Sequence, residues 1–141
     1  MIGPAHYLQI PNHTHLSERE LAIWQKFTSL FPERFTTVAY DYELGIPRNY
    51  DDTRPENYAK HHRYLGGYKI DVIGYKTDVE TIIEIKHQAT SKALGEVWLY
   101  SEVYHKENPS KEMPRLMILT DEEMPHMREI CEAEAVELVI I

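Results

Sequence analysis

One cysteine, Cys131, in a chain of 141 residues excludes an internal disulfide and leaves no thiol cluster for zinc. No apolar run approaches the roughly 20 residues that a membrane helix needs, and the opening "MIGPAHYLQIPNHTH" lacks the basic-then-apolar order of a signal peptide. The expectation is an intracellular, cytoplasmic chain without a membrane partner. Glycine is scarce, at six residues, and there is no internal repeat, low-complexity tract or domain linker. A disordered or repetitive chain is thereby disfavoured, and the 43% hydrophobic content is enough for one compact core.

An excess of positive charge is also missing. The formal net charge of −8 argues against a polyanionic partner for the molecule as a whole. The charge is uneven, however. Between Asp121 and Glu137 seven acids face one base, Arg128. Between Ile46 and Lys69 the bases Arg48, Arg54, Lys60, Arg63 and Lys69 outnumber Asp51, Asp52 and Glu56. One region can face a polyanion while another keeps the protein soluble.

"LSERELAIWQKFTSLF" reads as a helix, with Ser17 and Glu20 forming a capping box, Leu21, Trp24, Phe27 and Phe31 on its buried face, and Pro32 ending it. Phe35–Leu44, Tyr68–Tyr75 and Glu80–Lys86 read as three strands, the last two joined by a short polar turn at Thr77 and Asp78. "TSKALGEVWLYSEVYHK" reads as a helix capped by Thr90 or Ser91, with Ala93, Val97, Tyr100 and Tyr104 on one stripe and Trp98 counted with the core. "RLMILT" is a strand, "DEEMPHMREICEAEA" a helix with acids in its first turn and Pro125 near its start, and "VELVII" a final strand. The expected class is α/β, a mixed central sheet flanked by helices in the order α-β-β-β-α-β-α-β. Residues 1–141 form one domain, with 1–16 as an N-terminal extension. The long connection 45–68, holding a short helix from Pro55 to Leu65, has a length that often marks function.

"TIIEIKHQ", Thr81 to Gln88, carries the chemistry. Residues two apart in a strand share a face, so Glu84 and Lys86 point the same way out of an apolar element. If the second and third strands form a hairpin centred between Thr77 and Asp78, Asp71 lies opposite Glu84. Opposed residues have Cβ atoms about 4.5 to 5.5 Å apart, and like charges there destabilise a sheet. A cation between them resolves the conflict. Magnesium, or manganese, takes oxygen ligands, needs one or two carboxylates and completes its shell with water and phosphate. Lys86 can orient or activate a water, or stabilise negative charge building on a phosphate. The bland alternative is a surface strand on which a Glu and a Lys solvate each other.

Asp71 in "KIDVIGY", a hairpin, "IIEIK" with Glu84 and Lys86, and a helix containing "ALGEVWLY" together resemble the PD-(D/E)xK nuclease superfamily. The resemblance covers about Ser17 to Ile141 and implies a restriction-endonuclease-like fold and magnesium-dependent phosphodiester cleavage. It implies Asp71, Glu84 and the backbone carbonyl of Ile85 as metal ligands and Lys86 as the catalytic lysine. Glu20 is the candidate for a further acid from the first helix, against its simpler job in the capping box. Ile70 stands where the motif's proline is expected, and Glu96 stands four residues before Tyr100 where the family often has Gln. Glu96 is then a further acid near the metal or a surface residue. Gln88 falls on the face of Lys86 and contacts phosphate or water, or is a neutral strand-end residue.

The connection from Ile46 to Lys69 offers Arg48, Arg54, Lys60 and Arg63 to phosphates and Tyr50, Tyr58 and Tyr64 to bases, unless it is only a solvated lid. Adjacent His61 and His62 would diverge by roughly 100° in a helix and read as solvent-exposed. Cys131 reads as a packing residue. The reading is a metal-dependent nuclease acting on nucleic acid, DNA first, with one copy or a homodimer both open. The alternatives are a non-catalytic nucleic-acid-binding module on the same fold, or an interaction protein using its acidic C-terminal face.

Overall fold

The computed structural model describes residues 5–9, 11, 14–45 and 68–141. Its elements run β1 (Ala5–His6), α1 (Glu18–Leu30), β2 (Thr37–Leu44), β3 (Tyr68–Lys76), β4 (Val79–Lys86), α2 (Ser91–Glu107), β5 (Arg115–Thr120), α3 (Met127–Ala133) and β6 (Val136–Ile140). The class is α/β, an open six-stranded mixed sheet with three helices, and the strands lie side by side in sequence order. Strands β1 to β4 pair antiparallel, whereas β4–β5 and β5–β6 pair parallel. The parallel pairs follow from α2 and α3, because a helix between two strands returns the chain to the edge it left.

The sheet is apolar on both faces because β4 alternates between two cores. Ile82 packs with Ile73, Ala93, Val97, Tyr104, Ile118 and Cys131 on the face covered by α2 and α3. Ile83 and Ile85 pack with Trp24, Phe27, Val38, Val72, Met117 and Leu119 beneath α1. Each fully buried isoleucine contributes roughly 1.5–3 kcal/mol, so Ile82, Ile83 and Ile85 together offset the cost of burying the acid Glu84 among them.

Helix α1 starts at the expected box: Ser17 Oγ accepts from Glu20 N at 3.2 Å, and Glu20 Oε1 accepts from Ser17 N at 3.0 Å. Its buried face is Ile23, Trp24 and Phe27, with Leu21 half-buried. Phe31 is the C-cap and is 43% exposed, because it lies past the last turn rather than on the stripe. The segment before α1 belongs to the core: Tyr7 and Leu16 are buried with Trp24, and the Tyr7 hydroxyl donates to the Phe31 carbonyl at 2.7 Å.

Three further differences from the sequence reading have physical causes. Trp98 is 57% exposed rather than core, since the buried stripe of α2 is Ala93, Val97, Ser101 and Tyr104 and residue 98 is a step of about 100° away from it. Helix α3 begins at Met127, after Pro125 and a left-handed His126, so Asp121, Glu122 and Glu123 precede it and are not its first turn. Strand β1 is an added edge element, paired through Ala5↔Val38 and His6↔Thr37.

Candidate active site

The β3–β4 hairpin pairs Lys76↔Val79 through Val72↔Ile83 around Thr77 and Asp78, with Thr77 in the left-handed region at φ 55. The next step of that register sets Asp71 opposite Glu84, where the ladder ends. Asp71 instead turns its carboxylate into the gap: Ile85 N donates to Asp71 Oδ2 at 2.8 Å, and Asp71 N makes a long 3.5 Å contact to Glu84 Oε1. Both acids are buried, Asp71 at 4% and Glu84 at 1% exposure. Burial drives the Glu84 carboxyl far above the usual carboxylate range, and the neighbouring Asp71 charge drives it further, with Lys86 opposing.

Lys86 ends β4, on the face of Glu84. Its Nζ lies 3.5 Å from Glu96 Oε2 on α2. Burial lowers its pKa, but Glu96, Glu84, Asp71 and Glu20 outweigh burial and hold it above the ordinary lysine value, so Lys86 is a cation at neutral pH. The pKa of Tyr100, one turn after Glu96, is also raised, first by burial and then by the charges of Glu84, Glu96 and Asp71.

The other side of Asp71 is met by a residue that strand and helix patterns do not reveal. His15, three residues before α1, sets Nε2 at 2.6 Å from Asp71 Oδ1 and Nδ1 against Asp41 Oδ1. Asp41 sits on β2 at φ 52, a backbone state rare for a residue in a strand. It accepts in addition from Thr14 Oγ1 and from His15 N, both at 3.1 Å. The hydrogen bond to Asp71 raises the His15 pKa, burial works against it, and the charges of Asp71 and Asp41 add to the rise. An acid interrupting the aromatic and β-branched "FTTVAYDYEL" is the one sequence signal that points at Asp41; His15 offers none.

The structure brings together Asp71, Glu84, Ile85 and Lys86, with Glu96 as the partner of Lys86. Glu20 is near enough to act on Lys86 electrostatically, but its carboxylate is bonded to the α1 cap. Gln88 departs from expectation: β4 ends at Lys86, Gln88 has φ 52, and its Nε2 donates to Glu122 Oε2 at 2.7 Å. The chain leaves the strand there, so strand alternation no longer sets its direction. Beside it, His87 Nδ1 is 2.8 Å from Asp121 Oδ1 and its Nε2 is 3.1 Å from Arg19 Nη1, a separate surface pair of contacts. Arg48, Arg54, Lys60, Arg63 and Tyr64, with Tyr50, Tyr58, His61, His62 and the helix expected from Pro55 to Leu65, lie outside the described residues.

As a donor set, Asp71 and Glu84 offer two buried carboxylates on adjacent strands, the chemistry of a hard cation. Each ionised carboxylate oxygen has more than one acceptor direction, so the Ile85 and His15 bonds leave Asp71 able to accept a ligand. Among the described residues no group of three or more His, Cys, Asp and Glu side chains forms a ready cage. No helix among the described residues is long and apolar enough to cross a membrane. Comparison with protein-family models, curated proteins and solved structures gives no match.

Proposed function

We propose that the chain is a metal-dependent nuclease with a restriction-endonuclease-like fold, hydrolysing phosphodiester bonds, DNA being the first substrate to test. The observation that carries the reading is the pair of buried carboxylates Asp71 and Glu84 at the end of the β3–β4 ladder, with Lys86 two residues beyond Glu84. Asp71 is met by Ile85 N and His15, but Glu84 beside it has only one long contact, and a buried acid so poorly satisfied next to a second carboxylate is costly unless a cation shares the pair. Asp71, Glu84 and the Ile85 carbonyl would hold magnesium or manganese. When bound, the metal supplies charge neutralisation at the phosphate and a more acidic water.

The residues of this chain do the rest. Asp71 is oriented at both oxygens, by Ile85 N and by His15. Lys86, held as a cation beside Glu96, favours stabilisation of the negative charge that develops on the phosphate over proton abstraction from water. Glu20 is left to the helix cap. Hydrolysis joins a water oxygen to phosphorus and breaks the ester bond to the leaving sugar oxygen, which takes up a proton.

A second reading, a non-catalytic nucleic-acid-binding module on the same fold, is favoured by the fact that no third His, Cys, Asp or Glu side chain among the described residues groups with the two acids. Incubation with magnesium or manganese on linear, supercoiled, single-stranded and four-way-junction DNA, and on RNA, separates the two. Cleavage that EDTA stops is the expected result. Binding without cleavage on every substrate would overturn the nuclease reading in favour of the module.

A further inference from the structure

The N-terminal segment reaches the site through a chain of three side chains from three parts of the fold: Asp41 on β2, His15 before α1 and Asp71 on β3. His15 uses both ring nitrogens, Nδ1 toward Asp41 and Nε2 toward Asp71 at 2.6 Å. The segment is not loosely laid on the sheet. Thr14 Oγ1 and His15 N both bond to Asp41 at 3.1 Å, Leu16 N bonds to Thr14 Oγ1 at 3.3 Å, and Leu16 is buried. Asp41 adopts a left-handed backbone at φ 52 inside a strand, a strained state that persists only where its surroundings enforce it. That strain sets its carboxylate where it takes the Thr14 and His15 bonds.

We propose that His15, aligned by Asp41, is the positioning residue that fixes the Asp71 carboxylate for cation binding. The proposal rests on the reading of Asp71 and Glu84 as the metal site. A carboxylate on a single χ2 bond can rotate, and a ligand that rotates loses affinity. Here Ile85 N fixes Oδ2 and His15 Nε2 fixes Oδ1, so the carboxyl plane is held at two points while each oxygen keeps a further acceptor direction. Partners of this kind, which orient a metal ligand without touching the metal, change metal affinity by roughly 10–100-fold when removed. The rate at saturating metal is less affected, because a positioned ligand differs from an unpositioned one mainly before the metal is bound.

The test is Mn2+ titration of the full chain, followed by the electron paramagnetic resonance signal of free Mn2+, with melting in EDTA as the control for folding. His15→Ala should raise the Mn2+ dissociation constant by about 10–100-fold. His15→Gln, which keeps an Nε2–H donor, should recover part of the loss, and Asp41→Asn should give a smaller loss. In single-turnover cleavage the half-saturating Mn2+ should move by the same factor, with the rate at saturation within a few-fold of wild type. A purely structural His15 would lower the melting temperature and leave the Mn2+ constant in place, which overturns the proposal. If His15→Ala does not fold, unchanged Mn2+ affinity in both His15→Gln and Asp41→Asn overturns it equally. Wild type that binds no Mn2+ is a different failure: it removes the metal reading of Asp71 and Glu84, and the role of His15 with it.

Discussion

The backbone N–H of Ile85 donates to the carboxylate of Asp71 at 2.8 Å, at the step where β3 and β4 cease to pair. A side chain takes the place of a main-chain acceptor, so the strands part without stranding a buried donor. Asp71→Ala should leave that N–H unpaired and cost about 1–3 kcal/mol; Asp71→Asn, which keeps an amide oxygen, should cost less. Urea unfolding in EDTA measures both, and equal losses would show that the bond contributes nothing.

Stability should fall with rising pH in the absence of divalent cations. The native state raises the pKa of Glu84 above its ordinary value of 4.5 and that of His15 above 6.5, so above those values the native state binds more protons than the unfolded chain. The stabilisation is full below the unfolded pKa and is lost as pH climbs toward the folded one, at up to about 1.4 kcal/mol per pH unit for one proton. Glu84→Gln should flatten the decline above pH 4.5, and a stability that rises through this range would refute the assignment.

Lys86→Ala should abolish or greatly slow single-turnover cleavage while nucleic-acid binding persists, since an interaction made chiefly in the transition state affects rate more than affinity. Lys86→Gln keeps length and polarity without the charge and should behave alike. Cleavage surviving in both would leave Lys86 as no more than the partner of Glu96.

Glu20 separates cap from ligand. Ser17→Ala should cost about 1 kcal/mol through loss of the N-cap bond. Glu20→Gln retains a capping-box acceptor and should leave both the melting temperature and the Mn2+ affinity unchanged. A weaker Mn2+ constant in Glu20→Gln would return Glu20 to the metal shell.

Gly74 lies against Phe35: a Cβ built there would stand 2.6 Å from two ring carbons of Phe35, which is itself buried. Gly74→Ala should therefore cost about 1–3 kcal/mol by overpacking. Phe35→Leu should relieve part of that cost in the double variant, and thermal denaturation of the four proteins tests the coupling.

The hairpin and its register are legible in the sequence because two apolar runs flank a two-residue polar turn, and period-2 alternation then places Asp71, Glu84 and Lys86. Helix α1 is legible through Ser17 and Glu20, whose mutual bonds are local. His15 is not, because its contact with Asp71 spans 56 positions and the segment around it has no period to read. Trp98 misleads for a different reason. Hydrophobicity alone assigns it to the core, but the stripe Ala93, Val97, Ser101 and Tyr104 admits a serine and excludes the tryptophan next to Val97. Gln88 fails as an extrapolation, since alternation carries no information past Lys86, where the strand ends.

The tight β3–β4 turn also sets an order of assembly. Asp71 and Glu84 are 13 residues apart, whereas His15 must close a loop of 56 to reach Asp71, and short loops close first. The two acids therefore meet before the imidazole arrives to balance them, and protonating one of them relieves the like-charge repulsion across the nascent hairpin. Refolding in EDTA is then faster in mildly acidic than in alkaline buffer, and Glu84→Gln removes the difference by making the early hairpin indifferent to pH.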